Sequence, residues 1–226
     1  SSFLPENPVQ LIHDALITGI KDYFKKLGFK KAVLGSSGGI DSAVVQYLAS
    51  MALGAENVTA VLMPSRYSSD HSVNDAVQLS KNLGNPYNII SIEEAFGSFE
   101  NTLAGMFSGT QNDLTEENLQ SRCRGVILMA ISNKFGPILL NTSNKSENAV
   151  GYGTLYGDMA GGLSVIGDLY KTQVYELARW INRNSEIIPE NIIVKAPSAE
   201  LRPNQKDSDS LPDYAILDLI LFEYIE

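Results

Sequence analysis

The stretch LGSSGGIDSAV, residues 34–44, decides the fold. It joins an apolar run, KAVLG at 31–35, to IDSAVVQYLASMAL at 40–53, a segment of helical length closed by Gly54. Between the two, Ser36, Ser37, Gly38, Gly39 and Ser42 are small enough for the backbone to approach an anion closely. The free N–H groups of a helix start carry about half a positive charge. A phosphate site follows from that combination. It is neither G-x-x-x-x-G-K-[ST] nor G-x-G-x-x-G. A plain glycine-rich turn with Asp41 as a dipole partner would leave Ser37 and Ser42 without a role.

Outward from this stretch the chain alternates between two periods. Asn7 before Pro8 starts an amphipathic helix that Gly28 stops. After the loop, NVTAVLM (57–63) is a strand, SVNDAVQLSKNL (72–83) a helix, YNIISI (87–92) a strand, and 93–107 a further helix. TEENLQSRCRGVILMAISNK (115–134) is a long helix with Thr115 at its cap, and PILLN (137–141) is a fourth strand. Residues 168–184 are helical with Asp168 as cap, and 212–226 form a last amphipathic helix. Strands alternating with helices imply an α/β fold, a parallel sheet with helices on both faces. A Pro-rich polar tract separates the last two helices, and its 196–212 part is expected to be a mobile loop.

The 226 residues suit a single domain, given roughly 150 residues for a typical one. Lys and Arg number 17 against 26 Asp and Glu, a net charge of −9, which offers no attraction to nucleic acid or an anionic membrane. One cysteine, Cys123, excludes a disulfide framework, and His13 and His71 are too few for a histidine metal centre. Any metal should be a hard cation on carboxylates and phosphates, namely Mg²⁺. No basic leader precedes an apolar run in SSFLPENPVQ, and no tract of about 18 apolar residues occurs. A cytoplasmic location is expected.

Ser37-Gly38-Gly39-Ile40-Asp41-Ser42 resembles the SGGxDS loop of the PP-loop ATP pyrophosphatases, with their adenine nucleotide α-hydrolase-like fold. VLMPSRYSS, NTSNKSENAVGYGTLYGDMAGG, YKTQVYELARWIN and PSAELRPNQ narrow the resemblance to NAD synthetase. It implies that the nicotinate carboxylate of deamido-NAD attacks the α-phosphorus of ATP and that ammonia then aminates the adenylate. By the same resemblance Asp41 and Glu147 hold Mg²⁺, and Ser36, Ser37, Gly38, Gly39 and Ser42 grip phosphates. Thr142 faces the triphosphate, Lys171 neutralises it, and Met63 and Ser65 receive adenine, with Arg66 a further contact. Tyr152 stacks on the nicotinate ring and Asp158 contacts deamido-NAD. Arg122 and Arg124 match a family pair; at i, i+2 they cannot share a helix face, and the family match favours Arg122. Asp41, Lys171 and Arg122 are the expected catalytic residues.

Leu155 stands where short ammonia-dependent members often have lysine, a resemblance to the glutamine-dependent branch. That branch carries a preceding nitrilase-like glutaminase domain, so the chain is expected to be a domain of a longer protein. In 196–212 the family's Asp-Glu pair is replaced by Asp207-Ser208-Asp209. A homodimer is implied, with the apolar residues Val126, Ile127, Met129, Ala130 and Ile131 of the 115–134 helix taking part. Other PP-loop enzymes adenylate XMP, citrulline or tRNA bases; a sensor that binds ATP without turnover is a third reading. Cys123 lies in a helix interior without a Gly-rich elbow, so ammonia rather than glutamine is the expected nitrogen source.

Overall fold

The computed structural model describes residues 7–226; residues 1–6, part of the stretch searched above for a leader, lie outside the described residues. The chain runs α1 (Pro8–Leu27), β1 (Ala32–Gly35), α2 (Ile40–Leu53), β2 (Val58–Leu62), α3 (Asp70–Leu83), β3 (Tyr87–Ile89), α4 (Glu93–Leu103), α5 (Leu114–Phe135) and β4 (Ile138–Asn141). It continues through α6 (Lys145–Val150), β5 (Leu163–Ser164), α7 (Lys171–Ile181), α8 (Glu190–Val194) and α9 (Tyr214–Ile225). The five strands form one parallel sheet in the order β3-β2-β1-β4-β5.

Strand alternation splits the core between the two faces of this sheet. Ala32, Leu34, Val58 and Leu140 point to the face covered by α1, α2, α7 and α8, and Ala60 and Leu62 meet α3 there. Val33, Val61 and Leu139 point to the other face, against Phe96 of α4 and Cys123 of α5. Strand order reverses at β1, whose neighbours are β2 and β4, and the loop after β1 opens there, at the carboxyl ends of the strands.

Two helix starts differ from expectation. Asp113, not Thr115, caps α5: its carboxylate accepts the Thr115 amide at 2.7 Å while Glu116 reaches back to the Asp113 amide at 2.8 Å. Asp168 does not cap α7, because the chain stays non-helical through the buried Leu169 and Tyr170 and turns helical only at Lys171. The two-residue β5, the six-residue α6 and the five-residue α8, which falls in the tract read as Pro-rich and polar, are too short to show a period and were not expected. No helix among the described residues is long and apolar enough to cross a membrane.

A buried polar network behind the sheet fixes the phosphate loop. Ser36 Oγ donates to Gln46 Oε1 at 2.9 Å, and Gln46 Nε2 donates to Ser80 Oγ and Asn85 Oδ1, each at 3.0 Å. Gln46 is fully buried, so a leucine in its place strands the Ser36 hydroxyl and takes a donor from Asn85. Gln46→Leu should cost about 2–3 kcal/mol in urea unfolding, the sum of one or two unsatisfied buried groups.

Candidate active site

One cavity of about 300 Å³ opens at the carboxyl ends of β1, β2 and β4. Ser36, Ser37, Gly39, Asp41 and Ser42 line it from the phosphate loop, with Met63 from the end of β2, Thr142 and Glu147 from beyond β4, and Lys171 from the start of α7. Tyr152 and Asp158 close the far side. Of the residues expected at the site, Gly38, Ser65, Arg66 and Arg122 are not in its wall.

The loop is internally tied. Ser42 Oγ donates to the Gly39 carbonyl at 3.0 Å and lies 3.3 Å from the Ser37 amide. Gly38 sits at φ 79°, and a Cβ there would fall 2.3 Å from the carbonyl oxygen of Ser72 in α3. Gly38 therefore serves close packing of loop on helix rather than direct contact with the cavity.

Lys171 is the centre of the charged part. Its Nζ lies 2.5 Å from Asp41 Oδ2 and 3.3 Å from Glu147 Oε1, and its side chain is 3% exposed. Burial alone would lower its pKa; the two carboxylates reverse that and hold it well above the ordinary lysine value. In Glu147 burial prevails instead: burial, then the charge of Asp41, push its pKa up to about 7 against the pull of Lys171. Asn144 donates to Asp41 Oδ1 at 2.9 Å and caps α6 in a capping box with Glu147. Asn144 was missed as a site residue, although N-K-S-E carries the box signature in sequence.

The arginine expectation is corrected. Arg122 is exposed and donates to the Leu155 carbonyl at 3.2 Å, whereas Arg124 lines the cavity. Cys123 faces the sheet, and the two arginines diverge on either side of it, about 200° apart on the helix. Arg124 Nε donates to the Met63 carbonyl at 3.0 Å, and no carboxylate pairs with it among the described residues. Burial lowers its pKa to about 10. A largely buried guanidinium with one carbonyl partner asks for an anion.

Ser65 and Arg66 are also displaced from expectation. Ser65 is buried behind the wall and accepts from the Tyr67 amide, leaving Ser68 to line the cavity. Arg66 turns outward to Glu93 and Glu100 at 2.9 and 3.3 Å and covers the Phe96 ring.

Tyr152 donates to Asp207 Oδ1 at 3.2 Å, and Tyr214 donates to Asp207 Oδ2 at 3.0 Å. An acidic contact from 196–212 thus exists despite Ser208. Asp158 accepts from Ser121 Oγ at 2.5 Å and the Thr154 amide at 3.0 Å, which ties the 151–158 turn to α5. Gly157 is needed for that approach, since a Cβ would meet Ser121 Oγ at 2.4 Å. Ala196 to Leu201 lie over the cavity, and Glu200 accepts from Ser69 Oγ at 3.0 Å and Ser72 Oγ at 2.6 Å.

The family model described as NAD synthase matches residues 12–226. The chain belongs to the NAD synthase family. A glutamine-dependent NAD(+) synthetase of Thermotoga maritima is 59% identical over 94% of this chain and 37% of that protein. Among solved structures, the glutamine-dependent NAD+ synthetase of Acinetobacter baumannii in complex with ADP superposes with TM-score 0.84 at 43% identity, covering 100% of this chain and 40% of that one. The NMN synthetase of Francisella tularensis superposes with TM-score 0.86 at 32% identity, covering 96% and 87%. The chain spans about 40% of the length of the curated relatives it matches.

Gly38→Ala should disable this family's phosphate loop. The left-handed backbone alone costs about 1–2 kcal/mol, and the clash with Ser72 must displace the loop or α3. A lower melting temperature and at least tenfold weaker ATP binding by calorimetry are expected.

Proposed function

We propose that this domain converts deamido-NAD to NAD at the expense of ATP. The observation that carries the reading is the convergence on one cavity of a phosphate loop, the Lys171–Asp41–Glu147 trio and the unpaired Arg124. Adenine lies by Met63 and the triphosphate runs along Ser36–Ser42 and Thr142. A nicotinate carboxylate oxygen attacks the α-phosphorus, the bond to the bridging oxygen breaks, and pyrophosphate leaves into the loop. Ammonia then attacks the carboxyl carbon of the adenylate and AMP departs.

A reaction between two anions needs charge cancelled and the reactants aligned. Lys171 lies where a polyanion would draw it from Asp41 and Glu147. Arg124 lies at the β2 end, beside the nucleotide. Tyr152 offers its ring to the nicotinate, and Asp158 fixes the turn that meets it. The 196–212 segment covers the cavity and must lift to admit substrate.

The donor set fits Mg²⁺: two carboxylates face one ammonium, all donors are hard oxygens, and Mg²⁺ ordinarily takes one or two carboxylates plus substrate phosphates. No group of three potential ligands occurs among the described residues, which suits an ion completed by phosphate and water. Held by Asp41 and Glu147, it would supply charge neutralisation to the leaving pyrophosphate.

Glutamine hydrolysis is assigned outside this chain, to a glutaminase domain. Cys123 is 3% exposed and its thiol is pushed up by burial, the opposite of an activated nucleophile. A reduced lone cysteine and the acidic charge suit a cytoplasmic domain without nucleic-acid or membrane partners. The test is pyrophosphate release and NAD formation from ATP and deamido-NAD, with ammonium chloride or glutamine, and nicotinate mononucleotide as competing acceptor. Turnover with ammonium, none with glutamine freed of ammonia, loss of at least 100-fold in Asp41→Asn and none in Cys123→Ala are expected. Equal turnover in Asp41→Asn would sink the assignment, and a preference for the mononucleotide would move it to the NMN-forming reaction.

We also propose a homodimer through α5. Val126 and Phe135 are 65% and 75% exposed and Met129 is half-exposed, whereas Ile127 and Ile131 of the expected set pack on the core. Light scattering at micromolar concentration should give twice the chain mass, and a monomeric mass would overturn the dimer.

A further inference from the structure

By its own sequence α7 starts poorly. Its first residue, Lys171, puts a cation at the positive end of the helix dipole, and no acidic residue lies in its first turn. The first amides of a helix need acceptors from elsewhere, and α9 supplies one directly and a second through Ser146 of α6. Asp218 Oδ2 accepts the Thr172 amide at 2.8 Å, and Asp218 Oδ1 accepts from Ser146 Oγ at 2.5 Å. Ser146 Oγ in turn accepts the Lys171 amide at 2.9 Å. Ser146, Lys171 and Asp218 are all buried, and Ser146 immediately precedes Glu147 in α6.

One carboxylate outside the cavity wall thus holds the main chain beside both Lys171 and Glu147, the groups that converge with Asp41. Burying a carboxylate is costly unless it is fully hydrogen-bonded, and here each oxygen has a donor. We propose that Asp218 is a positioning residue for the reaction: it sets the place of the Lys171 ammonium on the phosphates without touching substrate. The proposal rests on the functional reading above. A displacement of about 1 Å at a charge-neutralising group costs on the order of 100-fold in rate, so modest slack in this relay is measurable.

Asp218→Asn keeps the volume but turns one acceptor into a donor facing either the Thr172 N–H or the Ser146 hydroxyl. Its kcat should fall by about tenfold or more while KM for deamido-NAD stays within about twofold, an effect confined to the phosphate end. In a Lys171→Arg background, where the ammonium is already lost, the same substitution should cost less than about threefold. Ser146→Ala removes the relay and leaves the Lys171 amide and Asp218 Oδ1 short of a partner, so it should lower the melting temperature and, at a temperature where the variant is fully folded, lower kcat by about threefold. Wild-type kcat in Asp218→Asn, or equal losses with and without Lys171, would overturn the proposal. If Asp218→Asn does not fold, Ser146→Ala and its cycle with Lys171→Arg decide by the same criteria. If the wild-type domain makes no NAD, the functional reading fails by itself. Asp218 is then judged by ATP affinity in the two variants, weakened more than about threefold if it positions Lys171 and unchanged if it does not.

Discussion

The buried contact of Lys171 with Asp41 and Glu147 is the constraint on which the site depends. Its three members come from positions 41, 147 and 171 and tie the starts of α2 and α7 to the short α6. Taking such charges out of water is unfavourable unless each finds a partner. The folded chain therefore has to bring these elements together in one arrangement. Two carboxylates against one ammonium leave the trio short of positive charge, and burial first, then the charge of Asp41, raises the pKa of Glu147. In the proposed reaction an arriving phosphate would take the lysine and an arriving cation the carboxylates.

Around that centre the two sides of the cavity are built differently. The phosphate loop is braced from behind by Ser36, Gln46, Ser80 and Asn85, all buried, and by the close seat of Gly38 on Ser72. The segment across from it rests on side chains at its rim: Gln120 Nε2 to the Leu201 carbonyl at 2.8 Å, Gln205 Nε2 to Glu117 at 3.0 Å, and Glu200 to Ser69 and Ser72. In the proposed reaction, a rigid loop under a cover held by a few polar contacts would admit a large dinucleotide and then exclude water.

The junction of β1, loop and α2 was legible because its signal is local: an apolar run, five small residues and a helix lie within about twenty positions of one another. The parallel α/β class followed from the same alternation. Apart from the caps Asp113 and Asn144, whose signals are local, what escaped is either too short to have a period, as with β5, α6 and α8, or made of partners far apart in sequence. Asp218 meets Ser146 across 72 positions, and Gln46 meets Asn85 across 39. Nothing near either residue announces its partner. The arginine pair is intermediate. Helical geometry limits the cavity to one of Arg122 and Arg124, but which one depends on the rotation of α5, set by Cys123, Leu119 and Ile127 packing beneath the sheet.

The same packing bears on the nitrogen chemistry. The rotation of α5 that delivers Arg124 to the cavity buries Cys123 between helix and sheet, so the helix does not offer both a cavity-facing cation here and an exposed thiol. Neither histidine compensates. His13 is engaged with Asp14 at 2.8 Å and Tyr47 at 3.3 Å on α1, and His71 lies exposed near the start of α3. Among the described residues the cavity thus brings together Lys171, Arg124, a loop of small residues and an overlying segment, while Cys123, His13 and His71 lie outside its wall. For the proposed reaction, nitrogen must reach this cavity as ammonia, a molecule small enough to enter while the cover over the adenylate stays closed to the bulk solvent that would hydrolyse it.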